Sequence, residues 1–347
     1  MDPLGLAGAP LWLNALAFCA AAVVVWIVGG RLTRSVDAAA SRTRMDRAFA
    51  GMLLLGGITS LPEAANILTS AAIGSPELGV NNLLGSAAIN VLFLAVADAF
   101  IGRTAVTGIV ARPSVLMMGT LCMLVLILIA GAVTLDDVPV GGVGVASLLI
   151  CAVSLGAFWL STGYDRRSPW GISDGGAQEH SDVGSDESSA PLARLWLQVS
   201  VYGALIFAAG YLLSVSGDSI AAQTGLGSAI VGFALIGIAT SLPELSTIVA
   251  ALRLHRAEMA FGQVLGTNFI ILALILPSDI AYRGEPVTTR LGTFETISAL
   301  LGATLVGIFM VGLLEHRDRT ILRMGYDSLA VILVFLGGVA LLAVATG

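Results

Sequence analysis

Two copies of one heptapeptide carry the chemistry of this chain: Gly57-Ile58-Thr59-Ser60-Leu61-Pro62-Glu63 and Ile238-Ala239-Thr240-Ser241-Leu242-Pro243-Glu244. Each sets a proline and a carboxylate inside a stretch apolar enough for a bilayer. The proline removes one helical hydrogen bond, freeing the carbonyl of Ile58 or Ala239. The carboxylate costs roughly 2.5–3.5 kcal/mol at membrane depth on insertion scales. Gly56, Gly57 and Gly237 loosen the preceding turns. Freed carbonyls are tolerated in a membrane only where something else satisfies them. Each motif therefore gathers carbonyls, Thr and Ser hydroxyls and one carboxylate within about two turns, a set of hard oxygen ligands.

Two such clusters face to face would supply two negative charges and enough oxygens for a calcium-type shell of roughly 6–8 ligands. Charge balance suits one divalent ion or a few monovalent ones, and protons are built-in competitors of two close carboxylates. His180, His255 and His316 lie in loops or at helix ends, away from these motifs, which argues against a zinc or copper centre. The following segments add ligands. Ser86 and Asn90, four apart in Gly85-Ser86-Ala87-Ala88-Ile89-Asn90, share a helical face, and Thr267 in Gly266-Thr267-Asn268 stands on the same kind of face. Gly85 and Gly266 would allow close helix approach.

The elements that position these residues are membrane helices. The 347-residue chain is 56% hydrophobic and 12% charged, against roughly 25% charged in soluble domains. Apolar runs near the length of a membrane span fall at about 11–30, 48–73, 78–101, 114–133, 140–162, 195–215, 228–252, 258–280, 294–314 and 326–346. The expectation is an all-α polytopic protein of ten transmembrane helices, with the second and seventh interrupted by the heptapeptides. Cys19, Cys122 and Cys151 lie in apolar segments as small core residues, without metal-ligand spacing or a disulfide framework. Met1-Asp2-Pro3 lacks the basic segment of a cleaved leader. The net charge of −6 offers nothing to a nucleic acid.

All 17 basic residues are arginines. The loops after the first, third, fifth, seventh and ninth runs carry five, two, three, two and three of them, while only the one after the eighth among the others carries any, Arg283 and Arg290. The positive-inside rule then sets the odd-numbered loops in the cytoplasm and both termini outside, in a cell membrane. Residues 164–193, rich in Ser, Gly, Asp and Glu, read as a flexible cytoplasmic linker between halves at 1–163 and 194–347.

A shift of 181 positions aligns those halves without a gap over about forty residues. Thr59 to Glu63 falls on Thr240 to Glu244, Glu77 on Glu258, Gly85-Ser86 on Gly266-Thr267, and Asp98 on Asp279. Five helices per half is odd, so the second half enters from the opposite side, a 5+5 inverted-topology repeat of the kind secondary transporters use. Asp98 and Asp279, near helix ends, read as interfacial or salt-bridged. Glu77 and Glu258, at helix starts, fit favourable dipole positions.

Thr-Ser-Leu-Pro-Glu, followed on the next helix by a Gly-Ser/Thr-centred segment with Asn90 and repeated in inverted halves, resembles the cation/calcium antiporter superfamily, nearest to its sodium/calcium exchanger branch. The segments at about 56–98 and 237–279 look like its two alpha repeats. The resemblance implies that Glu63 and Glu244 coordinate calcium directly, with the carbonyls of Thr59 and Thr240. It also implies sodium sites formed by Ser60, Ser241, Ser86 and Thr267 with the Gly56 and Gly237 carbonyls, and a central amide ligand at Asn90. Three positions depart from the pattern: Ile271 where the family has Asp or Asn, Ala87 for Asn, and Gln263 for Asn.

The function so implied is calcium–sodium antiport by alternating access, with both ions as substrates, no cofactor and no enzymatic step. A proton-coupled cation exchanger is the alternative, given weight by Ile271. An intramembrane hydrolase lacks its signature, since each Glu sits among hydroxyls and freed carbonyls. A passive channel would conduct either ion without a counter-ion.

Overall fold

The computed structural model describes residues 9–43, 45–72, 74–101, 107, 112–162, 191–224, 241–282, 284–315, 320–321 and 324–346. Each of the ten apolar runs carries helix in its described part. In order these are α1 (Leu11–Thr43), α2 (Arg47–Thr59), α3 (Leu61–Ala72), α4 (Pro76–Ile101), α5 (Pro113–Val133), α6 (Val145–Ser161), α7 (Leu192–Thr224), α8 (Leu242–Arg253), α9 (Ala257–Ala273), α10 (Ile275–Ala281), α11 (Thr293–Glu315) and α12 (Tyr326–Thr346). Among the described residues six helical stretches are long and apolar enough to cross a membrane, and the bent pair α2–α3 makes a seventh. The apolar parts of α6 and α12 are shorter. The linker expected at 164–193 and the first part of the run at 228–252 lie outside the described residues, save that α7 already begins at Leu192.

Four boundaries differ from the apolar pattern, one of them the end of α7 at Thr224, nine residues past its run. Helix α1 continues thirteen residues past its run, because Leu32, Thr33, Ser35, Val36 and Asp37 are buried while Arg31 and Arg34 face outward. An amphipathic extension of this kind escapes a hydropathy window. The run at 258–280 divides at Leu274, where Pro277 withholds the N–H that would bond Ala273. Helix α6 is preceded by a two-residue-per-strand hairpin, β1 (Pro139–Val140) with β2 (Val143–Gly144), and α12 by its counterpart, β3 (Thr320–Ile321) with β4 (Met324–Gly325). Every paired position in the second hairpin stands 181 after its mate in the first, so the repeat extends well beyond the motif region.

Helices α4 and α9 lie at the centre: 78% and 83% of their spanning residues are buried, against 22% for α1. They carry Ser86, Asn90 and Thr267. Helices α1 and α7 run side by side and share a small core of Ala21, Val25, Ala209 and Leu213. Polar contacts between loops keep to one parity of the ten runs. Arg112 after the third run pairs with Asp46 after the first and Glu258 after the seventh; Arg290 after the eighth pairs with Glu77 after the second.

Candidate cation site

The first heptapeptide bends the chain. Helix α2 ends at Ser60 (φ −78°, ψ −4°), and α3 resumes from Leu61 at 45° to it, as the Pro62 ring requires. Upstream, Gly51–Leu55 forms one π-helical turn. Glycines then bring α2 and α9 into backbone contact. A Cβ on Gly51 would stand 2.1 Å from the Met259 carbonyl oxygen, and one on Gly262 2.1 Å from that of Ala48. At Gly56 a Cβ would meet the Thr267 amide nitrogen and Oγ1, both at 3.0 Å. The expected residues Gly56 and Thr267 are thereby neighbours across the two repeats.

Six of the expected site residues share one property. Glu63, Ser86 and Asn90 from the first repeat, and Ser241, Glu244 and Thr267 from the second, are at most 1% exposed. Both carboxyl oxygens of each Glu, both polar atoms of Asn90 and the three hydroxyls have no hydrogen-bond partner among the described residues. Buried polar atoms are paired in the large majority of cases, and each one left unpaired costs about 1–3 kcal/mol. Glu63 is close enough for its charge to act on Glu244, and the Thr59 side chain lies beside the Glu244 carboxyl. The Thr59 hydroxyl is nevertheless committed to the Leu55 carbonyl at 3.0 Å. Carboxyl, hydroxyl and amide oxygens of this kind are the hard ligands that suit cations such as calcium.

The remaining expected residues differ. The Ser60 hydroxyl donates to the Gly56 carbonyl, which also accepts from the Ser60 amide at 3.1 Å. Ser60 and Gly56 thus satisfy one another locally, because the helix end at Ser60 turns the hydroxyl back along α2. Thr240 and Gly237 lie outside the described residues. Ile271 is fully buried, a hydrocarbon at the position that repeats Asn90.

Two amides on α9 join the picture. Gln263 donates through Nε2 to the Thr247 hydroxyl, one turn beyond Glu244, and its Oε1 is buried without a partner. Asn268 donates to the carbonyl of Ala87 at 3.3 Å and to the Cys122 sulfur at 3.7 Å. Ala87 stands 181 positions before Asn268, so α4 and α9 cross where the two repeats meet their own images. That identity of register was the available signal for Asn268 in the sequence.

Asp98 and Asp279, expected as interfacial or salt-bridged, are both 1% exposed, and backbone amides are among their partners. Asp98 Oδ2 accepts from the Gly325 amide (2.8 Å) and the Ser328 hydroxyl (2.7 Å). Asp279 Oδ2 accepts from the Gly144 amide (2.7 Å) and its Oδ1 from the Val287 amide (2.8 Å). Each carboxylate caps the hairpin and last helix of the opposite half. The reason is geometric, since backbone N–H groups at a helix start attract an acid as well as an arginine does. Glu77 and Glu258 occupy first turns as expected and also pair with Arg290 at 3.2 Å and Arg112 at 3.7 Å. Beside Glu77, the Arg290 guanidinium is held above its usual range.

The family described as sodium/calcium exchanger protein matches residues 13–164 and 194–344. The inner membrane protein YrbG of Escherichia coli K12 is 26% identical over 235 residues, covering 66% of this chain and 68% of its own. The sodium/calcium exchanger MaX1 of Methanosarcina acetivorans is 25% identical over 136 residues, 38% of each chain. The solved structure of the sodium-calcium exchanger NCX_Mj superposes with a TM-score of 0.70 at 14% identity, over 95% of this chain and 99% of that one, a likeness of fold. With the family profile matched across both halves, the chain belongs to the sodium/calcium exchanger protein family.

Proposed function

We propose that the chain is a secondary antiporter that exchanges calcium for sodium by alternating access around Glu63 and Glu244. The observation that carries this reading is the set of six buried side chains from both repeats whose polar atoms have no partner among the described residues: Glu63, Ser86, Asn90, Ser241, Glu244 and Thr267. One divalent ion, or several monovalent ones, neutralises the two carboxylates; the empty, charged cage resists passage between the two facing states, which makes exchange obligatory. The Thr59, Thr240, Gly56 and Gly237 carbonyls complete the shells, and Ser60 adds its hydroxyl once its bond to Gly56 is released.

The scaffold for this function is a ten-crossing, 5+5 inverted repeat with both termini outside and the 164–193 linker in the cytoplasm. Support comes from the parity of the loop contacts and from the two hairpins related by 181 positions. An even number of crossings between two loops is what lets them meet on one side of a bilayer.

Sodium-loaded vesicles should take up calcium on dilution into sodium-free buffer. Uptake that persists after Glu63→Ala and Glu244→Ala would refute the assignment. Proton coupling is the second reading, favoured by Ile271, which is buried and offers no oxygen opposite Asn90. It requires calcium flux driven by a pH gradient with sodium absent.

A further inference from the structure

Outside the ion cage, a second buried ionic group joins the two halves. Asp37, near the end of α1, has a side chain only 6% exposed. Its Oδ1 accepts from Nε of Arg256 at 3.0 Å and from Nε of Arg47 at 3.4 Å. Arg256 is the residue that begins α9, its side chain 10% exposed, and Arg47 begins α2. Three elements are thereby tied at one end: α1, and the two helices whose backbones touch beside Gly56 and Thr267.

The tie terminates a longer seam. Gly29, Thr33 and Asp37 recur every fourth residue and so share a face of α1. Gly29 presses on Ser246, whose Oγ would lie 1.9 Å from a Cβ on that glycine. The Thr33 hydroxyl reaches the Thr247 carbonyl at 3.4 Å. Asp37 then closes on Arg256. This seam covers α8 from just past Glu244 to its end, on the side of the arginine-rich loops. A path from Glu244 to that side along this seam would run between α1 and α8. Parting them separates Asp37 from Arg256.

The repeat makes the tie one-sided. Asp37 is repeated as Asp218, but the residue 181 positions before Arg256 is Ser75, and the one 181 after Arg47 is Ser228. The opposite face keeps the acid and has neither arginine at the matching positions. A buried pair broken in the dry interior leaves costly uncompensated charges. At 6% and 10% exposure, by contrast, both groups are next to water and can be rehydrated once the seam opens. That combination gives a contact strong when closed and able to release.

Resting on the antiport reading above, we propose that Asp37 and Arg256, with Arg47, form a one-sided latch. It holds the arginine-rich face shut over the ion site and biases the resting exchanger toward the state open to the other face.

The test uses the full-length chain in vesicles, with Cys19, Cys122 and Cys151 replaced by Ser and Thr33→Cys as reporter in the seam. A membrane-impermeant maleimide is applied from each face separately. Asp37→Asn should raise the labelling rate from the arginine-rich face about tenfold, equivalent to about 1.4 kcal/mol, and leave labelling from the other face no faster. The exchange Asp37→Arg with Arg256→Asp should return the rate toward that of the parent. An unchanged rate in Asp37→Asn, or a double exchange no slower than the single variants, overturns the latch. If Asp37→Asn does not fold, Arg256→Lys keeps the charge but loses the Nε–H donor. It should then give a smaller rise from the same face, and no rise overturns the proposal. Labelling requires no transported ion. A failed calcium flux would therefore sink the antiport reading while leaving this result to stand or fall by itself.

Discussion

Asp279 is the sharpest place to test the geometry, because its two oxygens serve two different segments. Oδ2 accepts the Gly144 amide and Oδ1 the Val287 amide, in a site 1% exposed. Asp279→Asn keeps the shape but has a single acceptor. Whichever way the amide turns, one backbone N–H faces an NH₂ group. Leaving one buried donor unpaired costs about 1–3 kcal/mol, and Asp279→Ala, which strands both, about 2–6 kcal/mol. The order of stability should be Asp above Asn above Ala, with the Ala deficit near twice that of Asn. Denaturant titration of the purified protein in detergent micelles measures it, with the slope checked so that a change in midpoint is a change in stability. An Asp279→Asn variant within about 0.5 kcal/mol of the parent, well under the loss of one buried hydrogen bond, would refute the two-oxygen cap. So would Asn and Ala variants that are equally damaging.

Three further expectations concern the site. Glu63→Gln and Glu244→Gln, which keep volume and remove charge, should each lower sodium-dependent calcium uptake roughly a hundredfold, about 2.7 kcal/mol of lost stabilisation; retention of a tenth of the flux in either would contradict a shared two-carboxylate cage. Gly262→Ala drives a methyl into the Ala48 carbonyl and should cost about 1–3 kcal/mol, whereas Gly156→Ala, with nothing within 4 Å, should not destabilise; unfolding midpoints decide it. Ile271→Asn restores an oxygen at the position repeating Asn90 and should steepen the sodium dependence of calcium flux; a sodium titration unchanged by it would remove Ile271 as the coupling determinant.

The candidate site was largely legible because its members are costly in a membrane and recur at a fixed offset. Glu63, Glu244, Ser86, Asn90, Ser241 and Thr267 can be named from spacing and resemblance, and all six are buried with polar atoms that have no partner among the described residues. What spacing could not give was which oxygens are already taken. Ser60 and Gly56 bond each other through a helix end whose geometry depends on the bend. Nor does a hydropathy window reveal an amphipathic extension, so the end of α1, and Asp37 with it, read as loop. Asp98 and Asp279 are visible as a repeated pair, but their partners include the backbone amides of Gly325, Gly144 and Val287, which carry no sequence signature. Pro277 marks the break at Leu274, which the repeat does not share, since the first half has no proline at the matching position.

The crossed caps set a clock for assembly. Gly144 leaves the ribosome 135 residues before Asp279, and Asp98 leaves 227 residues before Gly325. At about 5–20 residues per second, the first hairpin waits about 7–27 s for its acceptor, and the Asp98 carboxylate about 11–45 s for its donors. The Gly144 amide gains its Asp279 acceptor, and Asp98 its Gly325 and Ser328 donors, only once the second half has been made. Expressed alone, the first half would leave Asp98 without the Gly325 amide and the Ser328 hydroxyl, and the second would leave Asp279 without the Gly144 amide while keeping that of Val287. The duplicated units of this exchanger have become parts that each finish the other.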